Sequence, residues 1–390
     1  MAEASIREKK SRQYVETYVA SAVAIFFFGM EFIVLGTILP ILKETMAKNQ
    51  IALLATLLPL GVLVGSMLFG PIQDNRGYKI VLVSFTAIGI VGLSMLSFSK
   101  SFLLTAPAVV LIGISSGALN GSASAIISDI SNERNRASNL VVLGLIYCIG
   151  SLCTPLAMNA LLEKCGYRVP IFATAGLMLF SIIYYCMIDF PVRKREKKVA
   201  LKDIFALFKE PFLIIFSMVL FFQSALEGLS SNWTAQYLTA PGFGLSYGNA
   251  LYALSAVMLG LASARVILIF LTRTVKLKYL VYSSMIIVIA GAVVLISARG
   301  TFAGIAGSFM IGMGLAITFP GVLGMIGDRY PSVSGTVFSF ALVVALAGNT
   351  LLNLLTGTLG AESYPFVVIG AVAMLLVFFT VGIFFVKPKP

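Results

Sequence analysis

Long apolar stretches separated by short polar turns run from one end of this chain to the other. Each is roughly 20 residues, enough to cross a hydrocarbon core about 30 Å thick as a helix. The pattern predicts twelve spans, at 18–41, 49–72, 79–98, 102–128, 138–162, 168–189, 211–238, 246–271, 278–298, 301–327, 334–359 and 364–386. The longest polar interruption is Pro191–Glu210, PVRKREKKVALKDIFALFKE. It divides the chain into a six-helix bundle over 1–190, a basic linker over 191–210 and a second six-helix bundle over 211–390. Within the linker, Leu201 to Leu207 has amphipathic helical spacing with lysines alongside, as expected of a segment lying on a membrane face. The expected fold is an all-α membrane protein of two pseudo-symmetric six-helix bundles.

Polarity inside the spans refines this picture. Spans three, six, nine and twelve are almost uniformly apolar in their interiors. Others carry polar residues three or four apart, which places them on single helical faces. These are Ser116, Asn120 and Ser124 in span four, and Tyr147, Ser151 and Thr154 in span five. Span seven has Gln223, Glu227, Ser231 and Thr234, and span eleven has Asn349, Asn353 and Thr356. The expected arrangement is an inner set of helices lining a polar cavity and an outer set facing lipid; the competing reading is that such groups hold helices together. Two carboxylates fall at mid-span, Glu31 and Glu227, each about 15 residues into the first span of its half. A charged residue there costs about 2.5–3.5 kcal/mol on insertion scales, so each is read as a solute anchor or a cation-binding group. Asn120, among small residues, offers an amide to sugar-like hydroxyls. Trp233, the only tryptophan, is read either as an interfacial aromatic or as a platform for a sugar face, with Asn232 and Gln236 near it. Using Asn232 together with Glu227 calls for a break in the helix, which Gly228 would permit.

Composition agrees with membrane residence. Of 390 residues 59% are hydrophobic and 11% charged, and the mean hydropathy is +0.98; soluble domains carry about 25% charged residues. The net charge of +12 is a topology signal and not a nucleic-acid patch. Of 28 Lys and Arg, 22 fall on the side of the termini, so the positive-inside rule puts both termini in the cytoplasm of a cell inner membrane. The basic N-terminal residues lead into an apolar run too long for a signal peptide. The four cysteines show no CxxC spacing and the chain has no histidine. No metal site, cofactor, disulfide framework or enzymatic constellation is therefore expected, and any proton coupling must run through carboxylates.

After span two the chain reads Gly70-Pro71-Ile72-Gln73-Asp74-Asn75-Arg76-Gly77-Tyr78-Lys79. This resembles the major facilitator superfamily signature GxxxDRxGRR at Gly70, Asp74, Gly77 and Lys79. Asn75 and Tyr78 depart from it, and Arg76 is displaced by one. The resemblance implies a conformational latch, so Gly70, Asp74, Arg76, Gly77 and Lys79, with Asp129 and Arg136, are gating candidates. A narrower resemblance is to the fucose permease-like sugar–proton symporters. It rests on Glu227-Gly-Leu-Ser-Ser-Asn-Trp233 with Tyr237-Leu238, and on Ser128-Asp129, Arg136, Asn139-Leu140, Gly150 and Pro155. Glu31 matches the span-one acid of that branch, whereas Asn120 stands where the branch has a second acid. Span five reads Thr154-Pro155 and lacks the Gly-Pro pair of drug antiporters, which favours uptake.

Together these features predict a monomeric secondary transporter moving a neutral polar solute, a monosaccharide or related sugar, by alternating access with H+ or Na+. Its candidate solute and coupling residues are Glu31, Asn120, Tyr147, Gln223, Glu227, Asn232, Trp233, Gln236, Asn349 and Asn353. An anionic substrate is disfavoured by two acids without a central base, since Arg265 lies near the end of span eight. The alternatives are a proton-driven exporter of drugs or other amphipathic compounds, and a non-transporting sensor or scramblase.

Overall fold

The computed structural model describes residues 2–99, 101–191, 210–272, 274–330 and 334–385; the side chains of 2–11, 133, 134, 136–138, 334–336, 339 and 385 lie outside that description. Among the described residues the fold is all-helical. In the first half the helices are α1 Ala2–Leu42, α2 Lys48–Arg76, α3 Tyr78–Phe98, α4 Phe102–Ile130, α5 Glu133–Cys165 and α6 Arg168–Met187. In the second they are α7 Pro211–Leu238, α8 Tyr247–Leu271, α9 Leu277–Ser297, α10 Thr301–Gly314, α11 Thr318–Arg329, α12 Ser334–Leu359 and α13 Tyr364–Phe385. α10 and α11 together make one span, so the chain is a multi-pass membrane protein of twelve spans. Hydrocarbon offers no water to the backbone, and a helix satisfies its N–H and C=O groups internally. The expected linker helix at Leu201–Leu207 lies outside the described residues.

By contacts the chain divides into unit 1, Met1–Leu35 with Leu60–Glu196, and unit 2, Gly36–Pro59 with Lys197–Pro390. The hairpin made by the end of α1 and the start of α2 thus packs with helices of the second half. A Cβ added to Gly36 would come within 1.8 Å of the Ser231 carbonyl oxygen of α7, and one added to Gly357 of α12 within 2.3 Å of Ala52 Cβ. Lys48 Nζ donates to the Leu359 carbonyl at 3.0 Å, and the Tyr247 hydroxyl donates to the Thr37 carbonyl.

Each unit repeats the same close helix contacts, which in membranes depend on small residues. In unit 1, Gly150 of α5 lies against the Phe26 carbonyl of α1, and Gly117 of α4 against the Val62 carbonyl of α2. In unit 2, Gly348 of α12 lies against the Phe221 carbonyl of α7, and Gly312 of α10 against the Val257 carbonyl of α8. A Cβ at any of these four glycines would come within 2.2 Å of that oxygen. The contacts align Phe26 with Phe221 and so fix the internal repeat by packing. Glu31 is the fifth residue after Phe26, but Glu227 is the sixth after Phe221. One residue is about 100° of helix rotation, so the two acids are not equivalent. Leu226, fully buried like Glu31, occupies the position that corresponds to Glu31.

Candidate functional site

Glu31 is fully buried inside unit 1. The Ser116 hydroxyl of α4 donates to its Oε2 at 3.0 Å. Its Oε1 and Ser115 Oγ converge over Gly89 of α3, where an added Cβ would lie 2.1 and 2.4 Å from them and 3.0 Å from Met178 Cε of α6. Neither of these two oxygens makes a hydrogen bond of acceptable geometry among the described residues, and no basic side chain is among the groups acting on the carboxyl. The packing of α1 against α3 is possible because Gly89 leaves room for the carboxyl group. Such a carboxyl, fully buried beside two serine hydroxyls with no basic group acting on it, is suited to hold a proton or a small monovalent cation.

The span-five stripe serves helix packing. Ser151 Oγ donates to the Gly29 carbonyl at 3.0 Å and Thr154 Oγ1 to the Met30 carbonyl at 3.3 Å, holding α5 to α1. Tyr147 stacks on Phe28 with ring centroids 5.0 Å apart and meets Phe32 edge-on. Cavity lining by Ser151 and Thr154 is therefore corrected to backbone contact with a neighbouring helix. Asn120 is half-buried on α4, one turn beyond Ser116.

Glu227 has a different setting in unit 2. Gln223 Nε2 donates both to Glu227 Oε1 at 3.1 Å and to the Leu315 carbonyl at 2.9 Å. That carbonyl lies in the Leu315–Ile317 turn between α10 and α11, so the amide bridges the carboxylate to a broken span. Arg265 of α8 acts electrostatically on Glu227. A positive charge thus acts on one of the two acids, although Arg265 lies near the end of its span. α7 itself is unbroken from Pro211 to Leu238, so the break at Gly228 that would bring Asn232 onto the Glu227 face is not made, and the break in this half lies in span ten. Gly228 instead seats a side chain of α12: a Cβ there would lie 2.0 Å from Asn349 Oδ1.

One helical face away, a carboxamide network joins α7 to α12. Asn353 Oδ1 accepts from Asn232 Nδ2 at 3.0 Å and from Trp233 Nε1 at 2.9 Å. Asn353 Nδ2 donates to Asn349 Oδ1 at 2.7 Å and to the Asn349 carbonyl at 2.8 Å. Trp233 is 2% exposed, so its indole is an internal group and not an interfacial anchor. Three amide oxygens of α7, on Gln223, Asn232 and Gln236, are buried without a partner among the described residues. Of the hydroxyls on the same stripes, Ser231 bonds back to the Glu227 carbonyl and Thr356 to the Leu352 carbonyl, whereas Thr234 reaches across to the Tyr364 hydroxyl of α13 at 3.1 Å.

The latch candidates gather in unit 1. α2 stops at Arg76 because Gly77 adopts φ 83°, a region glycine enters without strain, and Gly77 caps α3. Lys79 Nζ donates to the Cys186 carbonyl of α6 at 3.1 Å. The Tyr78 hydroxyl donates to the Asp129 carboxylate of α4; the residue that departs from the motif is the one that ties α3 to the candidate Asp129. Asp74 and Arg76 are exposed, and Gly70 faces open space. The Arg136 side chain lies outside the described residues. Nothing in the residue pattern marks Gly89, Ser115, Leu315 or Tyr78, whose roles depend on which helices meet.

Twelve spans, two units repeating one set of helix contacts and polar groups buried at mid-span define a secondary transporter. Residues 21–352 match the Major Facilitator Superfamily. The chain belongs to that family, whose members are transporters and not enzymes. A crystal structure of a point mutant of the nucleoside transporter NupG is similar in fold, with a TM-score of 0.77 and 14% identity over 96% of this chain and 100% of that one. Over 97 residues the chain is 33% identical to "Putative metabolite transport protein YaaU" of Escherichia coli (strain K12), a match covering 25% of this chain and 22% of that protein's length.

Proposed function

We propose that the protein is a cation-coupled symporter of a neutral, hydroxyl-rich solute, with monosaccharides the leading class, working by alternating access with both termini in the cytoplasm. The observation that carries the solute class is the set of three buried, unpartnered amide oxygens on α7. Buried acceptors without donors are costly, and solute hydroxyls supply donors without bringing a charge. Glu31 is the coupling group for H+ or Na+, since its carboxyl is fully buried beside the hydroxyls of Ser115 and Ser116 with no basic group among the described residues acting on it. Glu227 and Asn349 anchor the solute, Asn232 and Asn353 hold the amide network behind them, and the turn at Gly77 with Asp129 and Arg136 gates the cytoplasmic side. The fucose permease-like pattern around Glu227–Trp233 supports a sugar. A nucleoside, the cargo in the name of NupG, carries similar ribose hydroxyls and belongs in the same test.

Uptake of labelled monosaccharides and nucleosides into vesicles under imposed proton or sodium gradients tests the reading. Gradient-driven accumulation of at least one hydroxylated solute is expected. No accumulation under either gradient overturns it.

A further inference from the structure

We propose that unit 2 carries a second solute site, a capture pocket at the helix ends opposite the termini, that takes a neutral polyhydroxylated solute before it reaches the mid-span amides. The site rests on the solute class proposed above. The pocket has a volume of about 410 Å³, within the roughly 300–1,000 Å³ of small-molecule sites. Lys43 and Lys48 border it from the turn between α1 and α2, Glu362 from the turn before α13, and Trp233 and Gln236 from the end of α7.

The chemistry of the lining selects the ligand. Lys43, Lys48 and Glu362 are of both signs, yet among the described residues none is ion-paired with another; Lys48 is instead oriented by the Leu359 carbonyl. Gln236 is 3% exposed, and its Oε1 has no partner among the described residues. A buried amide oxygen left without a donor is unfavourable, and a ligand hydroxyl removes that penalty. The Nε1 of Trp233 is spent on Asn353, so the indole offers the pocket only its apolar ring. An anionic ligand would meet Glu362 and a cationic one the two lysines. A neutral ring bearing hydroxyls uses the carboxylate and amide as acceptors, the ammonium groups as donors and the indole for its C–H face.

Trp233 is the only tryptophan, so its emission reports occupancy directly. The purified full chain in lipid nanodiscs would be titrated with D-glucose, D-xylose and L-fucose while uptake of the same sugars is measured in vesicles. A transported sugar should shift Trp233 emission saturably, and Gln236→Ala should raise its Kd about tenfold. Glu362→Gln and Lys43→Gln should raise the KM for uptake from the pocket face about three- to tenfold and leave kcat unchanged. Lys43 is exposed, so its variant keeps the test usable if Gln236→Ala fails to fold. The pocket is overturned if a sugar is transported but the folded variants leave its Kd and uptake KM unchanged; the proposed function then stands. If neither monosaccharides nor nucleosides are transported yet sugar shifts the emission and the variants weaken its binding, the function falls and the pocket stands. If sugars do not bind, the pocket falls, and the function falls with it only if nucleosides also fail to accumulate.

Discussion

α1 and α7 are the opening helices of two repeats held by the same contacts, and each carries a mid-span acid, yet one residue of offset separates their chemistry. In α1 the offset turns Glu31 between α3, α4 and α6, where it meets two serine hydroxyls and a glycine. In α7 it turns Glu227 toward Gln223, the Leu315 carbonyl and Arg265, while Leu226 fills the place that corresponds to Glu31. A shift of about 100° thus separates an acid on which no basic group acts from one under the influence of Arg265. The lesson is that internal symmetry in sequence position does not carry over to role: a buried carboxyl with no base acting on it suits a cation that comes and goes, and one tied to a neighbouring amide suits a solute that needs an acceptor.

The comparison can be broken or sharpened by substitution. The largest effect is expected for Glu31→Gln, which should cut gradient-driven accumulation about 100-fold, at the upper end of coupling factors between sites. Solute counterflow without a gradient should persist, and measuring both on one vesicle preparation separates coupling from binding. Next comes Arg265→Gln, which removes the positive charge acting on half-buried Glu227 and should lower uptake about tenfold. Adding Glu227→Gln should recover part of that loss, a non-additivity readable in a double-mutant cycle; additive losses would show that the two groups are not coupled. Asn353→Ala orphans the Asn232 and Trp233 donors, so thermal unfolding in detergent should show a loss of about 2 kcal/mol together with a shift in tryptophan emission. The smallest effect is expected for Gly89→Ala, whose methyl crowds Glu31 Oε1. Overpacking of this kind costs about 1–3 kcal/mol, and it should lower the accumulation ratio more than counterflow. Equal losses would show that Gly89 matters only for packing.

Much of the fold was legible because hydrophobic length alone determines spans: all twelve are present. The break in span ten was not, because Gly314-Leu315-Ala316-Ile317 remains apolar through the turn and periodicity has no polar marker there. Spacing found the amides on α7 and α12, since residues three and four apart share a face whatever the neighbour. It could not separate hydroxyls that bond back to their own helix, such as Ser231, from groups that cross, such as Asn353; that depends on reach and on which helix lies opposite. Arg265 illustrates the same limit. Its place in the sequence is near a helix end, yet its charge acts on Glu227 of α7. Glu31 was recognisable as costly, whereas its enclosure by Gly89 of α3 depends on a contact 58 residues away in sequence.

The proposed division between a cation-binding first unit and a solute-binding second unit is tested most directly by charge movement. A neutral solute transported with one cation carries current, so a rapid solute jump onto vesicles adsorbed to a solid-supported membrane reports H+ or Na+ coupling alike. A sustained transport current is expected in the parent protein, and none in Glu31→Gln at a solute concentration that still saturates its counterflow. A Glu31→Gln current equal to that of the parent would contradict the division.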